Sequence, residues 1–576
     1  MSEKKRSSLR DAWRLVKPYW ASDEKWWAWG LLVLVTAQNL FSVYLTVRFN
    51  YWYNDFYNAL QQYDWHAFFR QALIFCGLAT VYVVNGVYMV YFQQMLQIRW
   101  RRWLTRRFIG AWLDERAYYT LSLKSGGTDN PDQRIADDLS QFTSSTLDLF
   151  IGGAGILNSV VTFFSFLAIL WTLSGSLTVP LGVWGNIALP GYLLWFAVIY
   201  AIAGTWLTFK VGRPLIGLNF QQQRYEADFR FSLVRLRENV ESVAFYGGER
   251  RERENFLQIF SRVFDNFWQI MRRTKRLGWY QIGYAQAAVI VPVFLAAPRY
   301  FTEHMEFGWL RQTLDAFGQI QSSLSFIVQN YNSIATWQAV VQRLSTFEER
   351  VNEIADSARG PRPLDIRREG GGLAVAGLDL HLPDGAPLLH NVSFAMPPGA
   401  SQLIVAPTGT GKSTLLRALA GIWPFARGNV RLDQGRSLFL PQRPYLPLGS
   451  LGGALTYPRE HAELPRERLE AVLRQVGLGA FVGELDTVDN WAQRLSLGEQ
   501  QRLAFARVLL SEPAIVFLDE ATSALDEEAE AQLYQLLRKA PWRPTVVSVG
   551  HRSTLRAFHD SVLPLTAAAG KVAAAG

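Results

Sequence analysis

The chain has 576 residues, is 49% hydrophobic, and carries 21 Trp, 22 Tyr and 36 Phe, a formal charge of +9 and one cysteine, Cys76. The length leaves room for more than one domain, and a lone cysteine excludes both an intrachain disulfide and a cysteine-based zinc site. So many aromatics exceed the needs of an ordinary soluble enzyme but suit the lipid–water boundary.

The first segment is basic and amphipathic, with Lys4, Lys5, Arg6, Arg10, Arg14 and Lys17. The apolar run after it, from Trp26, is too long for the core of a signal peptide, so no cleavable leader is expected. A membrane helix needs about 20 mostly apolar residues. Six such spans are expected, at about 26–47, 68–92, 147–173, 189–209, 277–301 and 314–339. Cys76, inside the second, reads as a small buried or lipid-facing residue. Pro292 and Pro298 in the fifth are tolerable in a packed membrane helix. The sixth is the least apolar, with Gln319, Gln321, Gln329, Asn330 and Asn332. Alone it could be an amphipathic soluble helix; as the last helix of a bundle it reads as lining a cavity. Gln38, Asn39, Asn85, Gln93, Gln94, Asn158, Gln281 and Gln286 lie in the other spans or at their ends. They extend that polar cavity or hold helices together.

Charge assigns the sides. The connections at 50–67 and 174–188 contain no Lys or Arg, whereas 93–146 and 210–276 are rich in both. The positive-inside rule puts both termini in the cytoplasm. The net charge is then topology and contact with anionic lipid, and no nucleic-acid partner is expected. The stretch 220–276 has helical apolar spacing interrupted by Gly247 and Gly248, so it reads as two helices leaving the membrane with a turn between them. Phe229, Phe231, Leu233, Leu236 and Val240 on it need cover. The resulting organisation is an all-α transmembrane domain at 1–345, a Pro/Gly/Arg-rich linker at 346–371, and a cytoplasmic α/β P-loop domain at 372–576.

In "SQLIVAPTGTGKSTLL", 401–416, a buried strand leads through a glycine-rich turn into a helix. That is the context of a phosphate-binding loop. The candidate nucleotide residues are Thr408, Gly409, Thr410, Gly411, Lys412, Ser413 and Thr414. Lys412 supplies charge for the β- and γ-phosphates, and Ser413 offers a hydroxyl to Mg²⁺. Further on, "AIVFLDEATSALD" ends an apolar strand in two acids. Asp519 is placed to hold Mg²⁺ and Glu520 to orient or deprotonate the attacking water. Between them, Ser496 and Gly498 open a second helix, whose N-terminus is receptive to anions.

Together these motifs resemble the nucleotide-binding domain of an ABC transporter. Gly409, Gly411, Lys412, Ser413 and Thr414 match its Walker A motif, and Asp519 and Glu520 its Walker B motif and catalytic acid. Ser496, Leu497, Gly498, Glu499 and Gln500 stand at the signature motif, Ser523 to Asp526 at the D-loop, and His551 at the switch histidine. Gln442 matches the Q-loop, which senses the γ-phosphate, and the resemblance places it with Ser413 and Asp519 around the metal. Glu520, His551 and Gln442 are therefore the expected catalytic residues. The stretches "NYWYNDFYNALQ" (50–61), "NPDQRIADDL" (130–139) and "EADFRFSLVRLRENVESVAFYGGE" (226–249) resemble the SbmA/BacA-like, YddA-type transporters, relatives of the subfamily D acyl transporters.

The resemblance implies an exporter-type six-helix domain fused to one ATPase domain. It further implies ATP and Mg²⁺ as cofactors, a homodimer with composite ATP sites, and a multi-pass protein of the bacterial inner membrane. One coupling turn would come from the Gly-Gly break and the other from the basic connection before Leu147. The expected activity is ATP hydrolysis driving uptake of a polar solute, such as a peptide or a cobalamin-like compound. An acyl or lipid cargo, a flippase, and a regulatory membrane ATPase that moves nothing are the alternatives. Two departures stand out. Ala406 replaces the first Walker A glycine, which matters only if its φ is positive. Leu497 replaces the usual second signature residue, although Gly498 is kept. Beside them, His381 or Leu382 stands where an adenine-stacking aromatic is usual.

Overall fold

The computed structural model describes residues 8–124, 130–180, 186–360, 363–407, 409–460 and 463–565. The chain divides into two compact units, one of residues 1–110 with 130–349, the other of 111–129 with 350–576.

The first unit is helical. A short helix, α1 (Ser8–Trp20), is followed by α2 (Lys25–Gln61) and α3 (Trp65–Leu113), which are joined by a tight turn. After α4 (Ala117–Lys124), which belongs to the second unit, come α5 (Leu139–Phe150) and α6 (Ile156–Ser174). The expected single helix at 147–173 is thus broken at 151–155. Gly152, Gly153 and Gly155 allow the break, because a side chain at Gly152 would press on the carbonyl of Asp148, 2.8 Å away. The Asn39 amide bonds to the freed carbonyl of Ile151. A hairpin of β1 (Ser176–Pro180) and β2 (Asn186–Pro190) connects α6 to α7 (Tyr192–Glu238).

Then α8 (Val240–Tyr246), the left-handed Gly247 (φ 58°) and α9 (Glu249–Thr302) complete the helix–turn–helix. At 1.5 Å per residue, α7 is about 70 Å long and α9 about 80 Å, more than twice the bilayer core. The two pack side by side along their length. Asn266 on α9 donates to the Leu218 carbonyl (2.9 Å) and to Gln222 (2.9 Å) on α7, and the rings of Tyr200 and Tyr284 stack at 4.3 Å.

Among the described residues, five helices are long and apolar enough to cross a membrane: α2, α3, α6, α7 and α9. The expected sixth span, 314–339, falls below that measure and is divided. It begins in α10 (Phe307–Leu324), breaks at Ser325, passes through a single helical turn at Phe326–Gln329, and resumes in α11 (Tyr331–Arg359). The physical reason is packing. α10 lies against α2, α6, α7 and α9, and Trp309, Gln312, Thr313, Ala316, Phe317 and Ile320 are buried along it. A helix covered by protein does not need an apolar surface all round. By contrast Val81, Val83, Val84 and Val87 of α3 stand exposed, as lipid-facing side chains do, and so does Cys76.

The basic connection is cross-braced. Asp138, buried in the "NPDQRIADDL" stretch, receives Arg134 (2.9 Å) and a two-pronged contact from Arg343 (2.9 and 2.6 Å) on α11. The stretch read as a linker, 346–371, holds the end of α11 and the strand β3 (Leu364–Arg368).

The second unit is α/β. β4 (Leu373–His381), β5 (Pro387–Met396) and β7 (Ala426–Leu432) form a sheet with β3, in the order β3–β7–β4–β5. β6 (Ser401–Val405), β8 (Ser437–Leu440), β9 (Ile515–Asp519), β10 (Thr545–Val549) and β11 (Ser561–Pro564) form a parallel sheet in the order β11–β6–β10–β9–β8. β9 and β10 are buried on both faces, as the apolar run Ile515–Leu518 and the valines of β10 require. The helices α12 (Lys412–Leu419), α13 (Leu451–Thr456), α14 (Arg466–Gln475), α15 (Leu497–Ser511) and α16 (Glu527–Arg538) complete the unit. Leu123 of α4 packs against the core between the two sheets, and Arg116 donates to the Ala420 carbonyl (3.4 Å).

Candidate functional site

The C-terminal ends of β6, β9 and β10 converge, and the loops leaving them bring five of the expected residues together. The loop after β6 turns on Gly409 (φ 81°) and Gly411 (φ 107°). A side chain at Gly411 would meet Leu388 at 2.8 Å, so this position has neither the conformation nor the room for one. Ala406 is different: it is buried in the core and outside the left-handed region. Its methyl packs where the strand ends, so alanine fits without strain. Thr410 closes the turn by donating to the Pro407 carbonyl (2.7 Å), and Thr414 sits half-buried in the first turn of α12. Thr408 lies outside the described residues.

Lys412, at the start of α12, is buried. Its ammonium donates to the Ala406 carbonyl (2.9 Å) and meets Nε2 of His551. Ser413 donates to Asp519 (3.0 Å), and His551 lies 3.3 Å from Glu520. Burial holds the Lys412 ammonium below the usual lysine range against the opposing pull of Glu520 and Asp519. Burial also raises Asp519, against the Ser413 hydrogen bond. Both shifts mark a charge cluster drawn out of water. Glu520 has a left-handed backbone (φ 49°), held by its N–H bonding to the Val549 carbonyl (3.0 Å). A non-glycine residue there stores strain of the kind that collects at working sites.

The signature residues do not join this cluster. Ser496 caps α15 in a reciprocal box with Glu499: the Ser496 N–H (2.8 Å) and hydroxyl (2.7 Å) both donate to the Glu499 carboxylate. Gly498 lies against the Ala524 carbonyl, which its missing Cβ would meet at 3.2 Å. No hydrogen bond among the described residues joins Ser496, Gly498 or Glu499 to the 406–414 loop. Gln442 is exposed, and its carbonyl accepts from Gln501.

Gln501 was not singled out from sequence, nor were Glu530 and Arg552. Gln501 is fully buried on the α15 face that also carries Ala504, Phe505 and Val508. It donates to Gln442 (3.0 Å) and Ser523 (3.2 Å) and accepts from the Ala524 N–H (3.0 Å). A lone amide on an otherwise apolar helix stripe was the available signal. Buried Glu530 accepts from Thr522 (2.7 Å) and Thr554 (2.9 Å), while Arg552 donates to the carbonyls of Leu525 (2.8 Å) and Ser523 (3.0 Å). Thus the 442, 496–501, 522–526 and 551–554 segments form one hydrogen-bonded frame. His381 sits at the end of β4, where its carbonyl accepts from Trp423 (2.9 Å).

Two family models match: the ABC transporter transmembrane region 2 over residues 15–301, and the ABC transporter domain over 389–523. An uncharacterised ABC transporter ATP-binding protein of Haemophilus influenzae is 36% identical, with 92% of this chain and 88% of that one covered. This chain belongs to the ABC transporter family. The ABC transporter D family member 2, chloroplastic, of Arabidopsis thaliana is 34% identical over 98% of this chain and 87% of its own length. The inner membrane ABC transporter ATP-binding protein YddA of Escherichia coli is 31% identical over 96% and 97%. A bacterial Atm1-family ABC exporter with ATP bound shares the fold, with a TM-score of 0.72 at 20% identity, covering 93% of this chain and 94% of that one. The protein is thus an ABC half-transporter of exporter fold, with an ATP-binding domain whose hydrolysis is coupled to transport.

The transporter's membrane unit has a half-open cavity of about 720 Å³ between α7, α9 and α10. Gln281, Tyr284, Arg311, Asp315, Gln319 and Gln321 are on its wall. Asn50 fixes Asp315 (2.8 Å), and Arg311 lies over the Tyr53 ring (4.5 Å). The amides divide by role. Gln281, Gln319, Gln321 and Gln329 face the cavity, whereas Asn39, Asn85 and Gln93 bond to Ile151, Gln38 and Asp148 on neighbouring helices.

Proposed function

We propose that this chain works as a homodimer that uses ATP to take up a polar solute, such as a peptide or a cobalamin-like compound, across the bacterial inner membrane. The charged and amide groups set in the cavity wall, Arg311, Asp315, Gln281, Gln319 and Gln321, carry this reading. An apolar cargo would displace water from Arg311, Asp315 and the amides on the wall, which is costly even though Asn50 holds Asp315. The uptake direction rests on the resemblance to the SbmA/BacA-like group.

In this reading Lys412 exchanges the Ala406 carbonyl for phosphate oxygens, while Gly409 to Thr414 present backbone N–H groups to the phosphates. Ser413 and Asp519, a hydroxyl and a carboxylate, suit a hard cation such as Mg²⁺, which would offset charge on the β- and γ-phosphates; Gln442 would complete that side. Glu520 orients and deprotonates the attacking water, and His551 bridges Glu520 and Lys412. Ser496, Gly498 and Glu499 present the second anion-receptive helix to nucleotide held by the partner. Two features support the dimer. Among the described residues, Ser496, Gly498 and Glu499 make no direct hydrogen bond to the 406–414 loop of their own chain. At the tip of the α7–α9 lever Phe245 and Tyr246 are 81% and 88% exposed, and Phe231 and Val240 are also uncovered. Apolar cover for them would come from the second copy. The charge asymmetry puts both termini in the cytoplasm, with six passes if α10 and the start of α11 count as the last.

The test is ATP-dependent movement of labelled peptide, cobalamin, acyl-CoA and lipid in vesicles of known orientation, beside Glu520→Gln. Accumulation of peptide or cobalamin, lost in the variant, is expected. Movement of acyl-CoA or lipid alone, or ATPase activity indifferent to every solute, would overturn the cargo assignment.

A further inference from the structure

We propose that the groove between α7 and α9, just below the membrane-spanning segments, is a binding site for the phosphate of an anionic lipid in the cytoplasmic leaflet. The inference does not depend on the cargo. The groove has a volume of about 440 Å³ and is lined by Pro214, Gly217, Leu218 and Gln221 from α7 and by Gln269, Arg272, Arg273 and Arg276 from α9. Each set recurs at helical spacing of three to four residues, so two stripes face each other. On the α7 side, a Cβ at Gly217 would meet nothing within 4 Å, so the groove is open there.

The other side gathers three guanidiniums and one amide with no carboxylate on the wall. Among the described residues none of the three arginines makes an ion pair. Three uncompensated like charges on adjacent helical turns repel one another. A fold that keeps them together around a concavity is matched to an anion with several acceptor oxygens. The planar guanidinium fork suits phosphate geometry.

Depth decides the source of the phosphate. Trp279 on α9 is 78% exposed and Trp206 on α7 is 62% exposed, with the Lys210 ammonium 5.0 Å over the Trp206 ring. Exposed tryptophans with a snorkelling lysine mark the lipid–water interface. Arg276 is three residues from Trp279 and Arg272 seven, hence about 5 and 10 Å further along the helix. That is headgroup depth. By the charge asymmetry it is the cytoplasmic side, where anionic lipids attract basic clusters.

The test uses the purified full-length transporter in detergent, with native mass spectrometry counting bound phosphatidylglycerol against phosphatidylcholine. The Arg272→Gln/Arg273→Gln/Arg276→Gln variant is compared with Arg250→Gln/Arg251→Gln. The latter pair lies on the same helix beside Glu254 (3.2 and 3.9 Å). An unchanged size-exclusion profile and retained nucleotide binding establish that each variant is folded. Wild type and the control should retain phosphatidylglycerol in preference to phosphatidylcholine. The triple variant should bind it about a hundredfold more weakly, at roughly fivefold per guanidinium. Equal retention by the triple variant, or no preference for the anionic lipid, would overturn the proposal. Displacement of the lipid by millimolar glycerol 1-phosphate would overturn the lipid as source and leave a site for soluble phosphate esters.

Discussion

The side-chain amide of Gln501 donates to the carbonyl of Gln442 across 3.0 Å, although 59 residues separate them. The same amide group holds Ser523 and Ala524, so one buried residue ties two further segments, at 442 and 523–524, to the start of α15. Gln501→Leu would leave the Gln442 carbonyl and the Ala524 N–H without partners, at about 1–3 kcal/mol. The expected result is a drop of roughly tenfold in ATPase rate with nucleotide affinity nearly unchanged, because Gln501 does not touch the phosphate loop. Loss of binding and hydrolysis together would mean that the residue acts through general folding.

Backbone strain at Glu520 is separable from its carboxylate. At φ 49°, alanine retains the cost of a left-handed residue and glycine removes it. Glu520→Gly should therefore be more stable than Glu520→Ala by about 1 kcal/mol, while both lose hydrolysis. Thermal unfolding in detergent measures the difference, and equal midpoints would show that the strain is relieved elsewhere.

Much of this was legible in the sequence because the signals are local. The phosphate loop, the two acids after β9 and the long apolar runs each announce themselves within about 20 residues. Partnerships made by folding are not local. Glu530 reaches Thr554 24 residues away, and Arg552 reaches Leu525 27 residues back. The break at 151–155 was hidden for another reason. Its glycines are apolar and membrane helices tolerate glycine, so the run reads as continuous. The amides of the sixth span were legible as cavity-lining groups, and Gln319, Gln321 and Gln329 do stand on the cavity wall, whereas the division of that span at Ser325 carried no local signal. Ala406 looked like damage until its backbone angle removed the need for glycine.

Close packing between α2 and α10 gives a third prediction. Gly308 donates its N–H to Asn58 (2.7 Å), and a methyl group there would collide with the Asn54 carbonyl and the Asn58 side chain. Asn58 could rotate away, but a helix backbone carbonyl cannot. Gly308→Ala should push α10 off α2 and cost about 1–3 kcal/mol. The readout is the thermal midpoint of the detergent-solubilised protein. An unchanged midpoint would show that the two helices separate freely at this end.

His559 gives the fourth prediction, a pH dependence whose sign follows from its surroundings. Its Nε2 meets the Ser548 hydroxyl (2.7 Å), its Nδ1 the Leu555 carbonyl (2.7 Å), and its ring lies 5.4 Å from that of Tyr534. Burial lowers its pKa below the ordinary 6.5, assisted by Arg538 and opposed by the Leu555 bond and Asp560. The unfolded chain therefore binds a proton near pH 6.5 that the folded chain does not yet accept. Stability from this residue is complete above pH 6.5 and is lost as the pH falls from there toward the folded pKa. Wild type should lose about 2–4 °C more in thermal midpoint than His559→Gln between pH 7.5 and pH 5.5. A parallel decline in the two proteins would show that the imidazole titrates alike in the folded and unfolded chains.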